Sequence, residues 1–426
     1  MVEIVTEKFM QTFTVLFLIF LLAYMGVQLW LSLRQSNYVS QHRERVPAPF
    51  TDKITLEQHQ KAADYTLAKG RFGRIELMIG LVVLLAWTLG GGLEWLDQAW
   101  RSLNWSPLYT GVAVILSMLV IGSLIDLPAS LYRTFVLEER FGFNKTDLKT
   151  FFIDVAKGTA LTLALGVPLI MLILWLMESM GDYWWLYAWG VLTAFSLIMM
   201  WAYPKFIAPL FNKFAPLDNG EVAERINALL ARTGFNSNGI FVMDGSKRSA
   251  HGNAYFTGFG KNKRIVFFDT LLEHLTPAEV EAVLAHELGH FKRKHIIKGM
   301  LVSITMTFVS FAVLAWLMKQ NWFYQGLGVS QASTYMAIVL FMVASPVFTF
   351  FIGPIMSWWS RKHEFEADAF AAEQSSATEL IGALVSLYRE NASTLTPDPL
   401  HSAFYDSHPP ASIRIAHLQQ HNLGVT

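Results

Sequence analysis

The sequence contains no cysteine in its 426 residues. This absence excludes disulfide bonds, zinc sites built on thiolates and a cysteine nucleophile. A metal ion in this protein would therefore have to be held by histidine, aspartate or glutamate side chains.

Charged residues are also scarce, at 15% of the chain, whereas soluble domains carry about 25%. Hydrophobic residues make up 53% and aromatic residues 14%, and the mean hydropathy is positive. This composition predicts a protein that is partly solvated by lipid. The formal net charge is zero, so electrostatics offer no support for a nucleic-acid partner, and we expect none.

Seven runs are long and apolar enough to cross a bilayer as helices, for which about 20 residues are needed. They lie at 9–33, 75–96, 107–130, 158–177, 183–204, 299–318 and 333–357. The first run is too long for a cleaved signal peptide and follows acidic residues, so we interpret it as an anchor. Asp126 lies inside the third run, where it either marks a functional site or pairs with a neighbour such as Arg133.

The distribution of lysine and arginine predicts the orientation of these spans. Of the 33 basic residues, 30 lie in the segments 34–74, 133–157, 205–298 and 358–426, and the alternating segments hold three. Because basic loops stay in the cytoplasm, we expect the N-terminus outside and the C-terminus inside.

The same pattern predicts four consecutive parts of the chain. They are membrane helices 1–5 in 1–204, with a basic cytoplasmic loop at 34–74 that is helical from Leu56 to Lys69; a cytoplasmic part at 205–298; membrane helices 6 and 7 in 299–357; and a second cytoplasmic part at 358–426. Apolar stretches at 241–244 and 264–272 indicate a small β-sheet in an otherwise helical protein.

The segment AHELGH at 285–290 is the strongest chemical signal. His286 and His290 are four residues apart, so on a helix they project from one face and can bind a single metal ion. Glu287 is placed to take a proton from a water molecule at that metal. The alternative interpretation is a pair of ordinary histidines on a helix surface.

A catalytic zinc site needs a third protein ligand and an open position. Glu364 and Asp368 follow the seventh span and are again four residues apart. We expect Glu364 to bind the metal and Asp368 to accept the free N–H of a zinc-bound histidine. Spans 6 and 7 form a hairpin with a short outer loop, which brings both motifs together at the cytoplasmic face.

Other ionisable residues near these motifs are expected to play no part in metal binding. We interpret Glu366 as solvated surface and His363 as a surface or packing histidine, although it could compete as a ligand. We expect five further histidines to be structural or solvated: His251, His274, His295, His401 and His417.

With these motifs, the sequence resembles the zinc-dependent CAAX prenyl protease family, integral-membrane endopeptidases that process prenylated proteins. The likeness covers nearly the whole chain. It is carried by LPASLYRTFVLEERFGFN at 127–144, NAYF at 253–256, KRIVFFDTL at 263–271, AHELGH at 285–290, RKHEFEAD at 361–368 and SHPP at 407–410. The resemblance implies seven membrane helices that enclose a chamber, and a gluzincin-like cytoplasmic domain. It also implies one zinc ion per chain, bound by His286, His290 and Glu364, with Glu287 as the general base.

Four more residues acquire roles from the resemblance. The segment containing Asn253 and Ala254 is expected to be an exposed edge strand onto which an extended substrate adds, with Asn253 holding a substrate amide. His408 is expected to donate to the oxyanion, and Arg414 to orient an active-site group or to bind a substrate carboxylate. The alternatives are a plain loop asparagine and a His408–Arg414 pair that stabilises the cytoplasmic cap.

Two other functions stay open at this point. A membrane quality-control protease without a prenyl requirement would use the same chemistry, and a transporter or scaffold would carry zinc only structurally. The expected partners are a peptide or protein substrate, either prenylated or membrane-embedded, and membrane lipids. Short outer loops and a C-terminus without an ER-retrieval signal favour a bacterial inner-membrane enzyme, for which prenylated substrates would not be physiological.

Overall fold

Helices dominate the computed structural model, which describes residues 2–217, 220–235, 237, 239–257 and 264–422. The first half is entirely helical up to residue 211. Its helices are α1 (Val2–Gln41), α2 (Leu56–Trp87), α3 (Gly92–Arg101), α4 (Pro107–Tyr132), α5 (Leu148–Leu161), α6 (Val167–Ser179), α7 (Trp184–Ala202) and α8 (Ala208–Phe211). Short π-helical turns join α5 to α6 and α7 to α8, a 3₁₀ turn joins α6 to α7, and a π-helical turn extends α4.

The second half combines a small sheet with helices. Its elements are β1 (Phe214–Pro216), α9 (Glu221–Thr233), β2 (Ile240–Met243), β3 (Ala254–Thr257), β4 (Arg264–Phe268), α10 (Asp269–His274), α11 (Pro277–Lys292), α12 (His295–Leu317), α13 (Asn321–Gln325), α14 (Thr334–Thr349), α15 (Gly353–Gln374), α16 (Ala377–Glu390), α17 (Pro399–Tyr405) and α18 (Ala411–Asn422).

The sheet has the strand order β1-β2-β4-β3. Its central pair, β2 and β4, is parallel, and both outer strands run antiparallel to their neighbours. One apolar core joins this sheet to helices from both sides of the α12–α14 hairpin, and includes Phe267, Leu284, Leu380 and Leu418. Segments that are far apart in sequence are thus held in one folded unit.

Six helical segments of the described chain are long and apolar enough to span a membrane, or seven if the bent α2–α3 pair is one span. The predicted polytopic, mainly helical fold with a small sheet is therefore confirmed. The helices also run further than the apolar runs, since α1 extends to Gln41 and α2 begins at Leu56, behind a capping box of Thr55 and Gln58. The loop predicted at 34–74 is correspondingly short, because charged residues end an apolar run but not a helix.

The second span differs from the continuous helix predicted at 75–96. Helix α2 ends at Trp87, and α3 continues at an angle of 48°. Three glycines at 90–92 cause this break. Gly91 has φ +76°, and a Cβ on Gly92 would lie 2.8 Å from the carbonyl oxygen of Ala86. The tight backbone turn therefore depends on the missing side chains.

Helices α4 and α6 are buried only at the end remote from the sheet. The buried residues of α4 lie between 110 and 115, and those of α6 between 174 and 177. Only 6% of the most apolar window of the span Gly181–Phe211 is buried. A close-packed bundle would bury one face of each helix along its length. Helices α4 and α6 are instead buried at one end only, which fits the chamber implied by the resemblance.

Candidate active site

Helix α11 presents the two histidines of the AHELGH segment. It starts with a capping box between Thr276 and Glu279, with Pro277 in the first turn. His286 is buried, and its Nε2 lies 3.1 Å from Nε2 of His290. The helical spacing thus brings the same ring nitrogen of both residues to one point.

Helix α15 supplies the acidic group opposite. Glu364 is 3% exposed, with Oε1 at 3.2 Å from Nε2 of His290 and Oε2 at 3.5 Å from Nε2 of His286. His286, His290 and Glu364 are the group of potential metal ligands found in the described part of the chain, with all three ligand atoms within 4.8 Å of one another.

These three side chains fit a zinc ion. Ligands at 2.0–2.1 Å in a tetrahedral arrangement are separated by about 3.4 Å, close to the observed separations. Moreover, Oε2 of Glu364 is a buried carboxylate oxygen without a hydrogen-bond partner. Burying such an atom is costly. The guanidinium of Arg414, at 3.6 Å, offsets part of this cost, and a bound zinc ion would give the oxygen a direct partner. The donor set of two imidazoles and one carboxylate is that of catalytic zinc sites.

The close approach of α11 and α15 depends on Gly289. A Cβ at this position would lie 2.9 Å from Cα of Ala367 and 3.0 Å from its carbonyl oxygen. Gly289 precedes a histidine of the site and Ala367 precedes Asp368, so their contact sets the distance between the two motifs.

Asp368 and Arg414 contact Nδ1 of His286, on the side of the ring opposite the metal-facing Nε2. Oδ1 of Asp368 lies 2.8 Å from Nδ1 of His286, and Arg414 donates to both carboxylate oxygens of Asp368. Arg414 is 7% exposed and also lies 3.3 Å from Nδ1 of His286. Arg414 therefore contacts two side chains of the site, and both expected roles, orienting such a group or binding a substrate carboxylate, stay predictions.

The charges around His286 shift its pKa. Burial and the positive charge of Arg414 lower it, but the contacts of His286 with the carboxylates of Asp368 and Glu364 outweigh them and raise the pKa to about 9. Burial also opposes the charge of Arg414, yet its hydrogen bonds to Asp368 raise the pKa of the guanidinium above its usual value. Both side chains are therefore cationic at neutral pH in the metal-free site.

His408 lies at the mouth of the site. Its Nε2 is 3.4 Å from Oε1 of Glu364, and its side chain is 64% exposed. The hydroxyl of Ser407 is 3.0 Å from Nδ1 and can donate to it, which leaves the ring proton on Nε2, towards the metal position. Pro409 and Pro410 restrict the backbone that carries this ring.

Strand β3 forms the edge of the sheet beside the site. Ala254 pairs with Phe267 of β4, while the backbone carbonyl of Asn253 accepts from Phe268 N–H at 3.0 Å. The other edge of β3 is unpaired within the described sheet. The side chain of Asn253 is exposed and accepts from the N–H of Ala254 at 2.8 Å.

Two cavities meet at Glu287. One, of about 330 Å³, is lined by Asn253, Ala254, His408 and Arg414 together with aliphatic residues of α16. The other, of about 390 Å³, is lined by His290, Tyr255, Trp359 and His363. The Glu287 carboxylate thus stands in a cleft that extends to both sides of the zinc-ligand group.

Three side chains that sequence analysis set aside lie against this group. His295 is buried, with Nδ1 at 3.0 Å from Nδ1 of His290. Glu366 is exposed, as expected, and its Oε2 lies 3.0 Å from Nε2 of His295. His363 is buried and packs on His295, in line with the packing interpretation. His295 was missed because the break between α11 and α12, which turns it towards the site, has no sequence signature.

The other residues set aside lie elsewhere. His251, His274, His401 and His417 are outside the ligand group of the described chain. Arg133 forms its ion pair with Glu76 of α2, so the suggested Asp126–Arg133 pair is wrong. Asp126 is exposed on its helix.

Comparisons with known proteins show the family to which the chain belongs. Residues 35–213 match the model of the CAAX prenyl protease N-terminal region with five membrane helices, and residues 216–422 match peptidase family M48. The CAAX prenyl protease 1 homolog of Oryza sativa subsp. japonica is 34% identical over 394 residues, which cover 89% of this chain and 92% of the rice protein. CAAX prenyl protease 1 of Saccharomyces cerevisiae is 33% identical, covering 94% of this chain and 93% of the yeast protein.

A solved structure extends the comparison to the fold. The crystal structure of S. mikatae Ste24p superposes with a TM-score of 0.88 at 33% sequence identity, covering 95% of this chain and 98% of the other. Because the matching family is one of peptidases, the alternative of a non-enzymatic transporter or scaffold is wrong. The chain belongs to peptidase family M48, and it is a multi-pass membrane zinc metallopeptidase of the CAAX-processing type.

Proposed function

We propose that this peptidase cleaves prenylated C-terminal CAAX peptides at the membrane surface. The observation that carries the proposal is the convergence of His286, His290 and Glu364 beside Glu287, in a cleft flanked by an unpaired strand edge. An extended peptide tail fits such an edge, because it can add as a further strand. Membrane lipids would contact the apolar outer surfaces of the spans.

His286, His290 and Glu364 would hold the zinc ion. When bound, zinc supplies a Lewis acid that polarises the scissile carbonyl and makes water more acidic. Glu287 takes the proton of the attacking water and delivers it to the leaving amine. His408 donates its Nε2–H to the oxyanion that forms on the carbonyl oxygen.

The remaining residues bind and position. The side chain of Asn253 holds a main-chain amide of the substrate, and Ala254 pairs with the substrate backbone along β3. Asp368 accepts the Nδ1–H of His286 and fixes its tautomer, and Arg414 in turn fixes Asp368. Arg414 is thus a positioning residue rather than one that touches the substrate.

The proposed organisation follows the division made from the sequence. Residues 205–298 and 358–426 together form the cytoplasmic catalytic unit, and 1–204 and 299–357 form the membrane part. We place the N-terminus outside and the active site in the cytoplasm, on the strength of the 30 basic residues in the inner segments. A bacterial inner membrane is the proposed location, and there the cleavage of prenylated peptides would be a latent capacity of the fold rather than its physiological reaction.

The test is cleavage of a farnesylated CAAX peptide by the purified protein in detergent, beside the same peptide without the farnesyl group. We expect zinc-dependent cleavage of the farnesylated peptide. Glu287→Gln should keep zinc and lose roughly 10²–10⁴-fold in activity, because only the proton transfer is removed. Glu373→Gln, an exposed glutamate of α15, is the matched control and should remain active.

Other results would change the assignment. Equal cleavage of both peptides would favour the quality-control alternative, in which prenylation has no role. Near-normal activity of Glu287→Gln would remove this residue as the general base.

A further inference from the structure

The two zinc-facing histidines are held by different kinds of partner. His286 meets a carboxylate directly, with its Nδ1 at 2.8 Å from Asp368. His290 instead meets a third histidine, since its Nδ1 lies 3.0 Å from Nδ1 of His295. Nε2 of His295 lies 3.0 Å from Oε2 of Glu366. Two imidazoles and one carboxylate therefore form a continuous chain that ends at the metal position.

The hydrogen-bond directions in this chain follow from the ligand role of His290. A metal-binding Nε2 must offer its lone pair, so the ring proton of His290 is on Nδ1. Nδ1 of His295 must then accept, which puts the proton of that ring on Nε2. Nε2–H donates to Glu366, a pure acceptor when ionised. Each ring has one tautomer that satisfies both of its contacts.

Packing holds the middle member in place. His295 is 6% exposed and stacks on His363, with ring centroids 3.9 Å apart and an interplanar angle of 11°. Trp359 packs edge-on against His363, with ring centroids 4.4 Å apart. This stacking restricts rotation of the buried His295 ring, whereas its partner Glu366 is 46% exposed.

The backbone has a special conformation that produces this contact. On a continuous helix, a residue five positions after His290 would point about 140° away from it around the axis. The chain breaks between α11 and α12, where Lys294 has φ +59°. A left-handed conformation is costly for a residue with a Cβ, and it persists where the surrounding structure enforces it. Here it turns His295 back towards the site.

We propose that His295 and Glu366 are positioning residues that orient His290 and thereby set the zinc affinity of the site. The proposal rests on the zinc-ligand set proposed above. Hydrogen-bonded partners of metal ligands typically account for about 10–100-fold in metal affinity.

The experiment measures zinc affinity of the full-length protein in detergent by competition with a chromophoric chelator, starting from metal-free protein. His295→Phe keeps the flat ring on His363 but removes both hydrogen bonds, and should weaken zinc binding by roughly 10–100-fold. Glu366→Leu should weaken it several-fold. Glu366→Gln retains an acceptor oxygen and should restore affinity to within about threefold of the wild type. Glu373→Gln on the same helix is the control for charge removal.

A second readout separates positioning from general destabilisation. In the cobalt-substituted protein, His295→Phe should shift the visible absorption bands of the metal, while the melting temperature of the metal-free protein changes little. If His295→Phe does not fold, the Leu and Gln variants at Glu366 still test the hydrogen-bond chain that leads to His290.

Three results would overturn the proposal: wild-type zinc affinity in His295→Phe, equal losses in Glu366→Leu and Glu366→Gln, or a comparable loss in Glu373→Gln. His290→Ala distinguishes this failure from that of the ligand set. If His290→Ala loses zinc and His295→Phe does not, the ligand assignment stands and only the positioning role fails. If His290→Ala binds zinc normally, the ligand assignment itself is wrong.

Discussion

Arg414 forms two hydrogen bonds with Asp368 and lies within 3.6 Å of Glu364. All three side chains are nearly fully buried. Removing one partner of a buried ion pair leaves the other charge without compensation. At the scale of single residues, this cluster is therefore as important as the zinc ligands it supports.

We expect Arg414→Ala to destabilise the protein by about 3–5 kcal/mol, because the buried Asp368 then keeps only its contact with His286. Zinc affinity should fall as well, since His286 loses a fixed partner. Arg414→Lys should recover only part of both, because an ammonium cannot make the paired contacts of a guanidinium. Thermal unfolding and chelator competition measure the two effects.

A different result would support the alternative role of Arg414, the binding of a substrate carboxylate. If Arg414→Ala kept its melting temperature and zinc affinity but had a raised KM for the peptide, Arg414 would bind a substrate carboxylate instead.

The raised pKa of His286 predicts a pH dependence of zinc binding. In the metal-free site this pKa is about 9, so the ion pair with Asp368 contributes stability that is complete below the unfolded pKa of about 6.5 and is lost as pH rises through 9. Zinc binding requires the neutral ring and must release this proton. Zinc affinity should therefore rise by up to about tenfold per pH unit between 6.5 and 9.

Calorimetry in buffers of different ionisation enthalpy would report the released proton directly. A zinc affinity that is flat between pH 6.5 and 9 would show that His286 is already neutral in the metal-free protein.

At the scale of secondary-structure elements, the crossing of α11 and α15 decides whether the site forms. Their contact at Gly289 and Ala367 leaves no room for another carbon atom. Sequence spacing predicted which residues share a face on each helix, because helical periodicity is local. It could not predict how closely the two helices approach, since that depends on which small residues meet.

Gly289→Ala should therefore push the two helices apart, costing about 1–3 kcal/mol and weakening zinc binding. The control is Gly299→Ala in α12, where a Cβ would meet nothing within 4 Å; this substitution should be neutral or slightly stabilising. The melting temperatures and zinc affinities of both variants test whether the contact at Gly289 sets the site. Equal behaviour of the two would show that the helices can adjust without disturbing the site.

At the scale of the whole molecule, the orientation in the membrane can be tested because the chain has no cysteine. A single introduced thiol is then the only target for a membrane-impermeant maleimide. We expect Gln331→Cys, exposed in the loop before α14, to be labelled in intact cells. Gln419→Cys, exposed on α18, should be labelled only after the membrane is permeabilised. The reverse pattern would invert the proposed topology.

The sequence by itself determined the membrane architecture, because length and apolarity alone decide whether a helix can cross a bilayer. It also identified His286, His290, Glu364 and Asp368 as candidates, because residues four apart share one face of a helix. The sequence did not predict the bend of 48° between α2 and α3, although it contains the three glycines at 90–92 that cause it.

Only the tertiary structure decided which distant residues meet. Arg414 reaches Asp368 across 46 positions, and Glu366 reaches His295 across 71. These contacts depend on the packing of three helices and on one left-handed residue at 294. The sequence thus determined the chemistry available to the site, whereas the fold decided which groups orient it, because periodicity is a local property and packing is not.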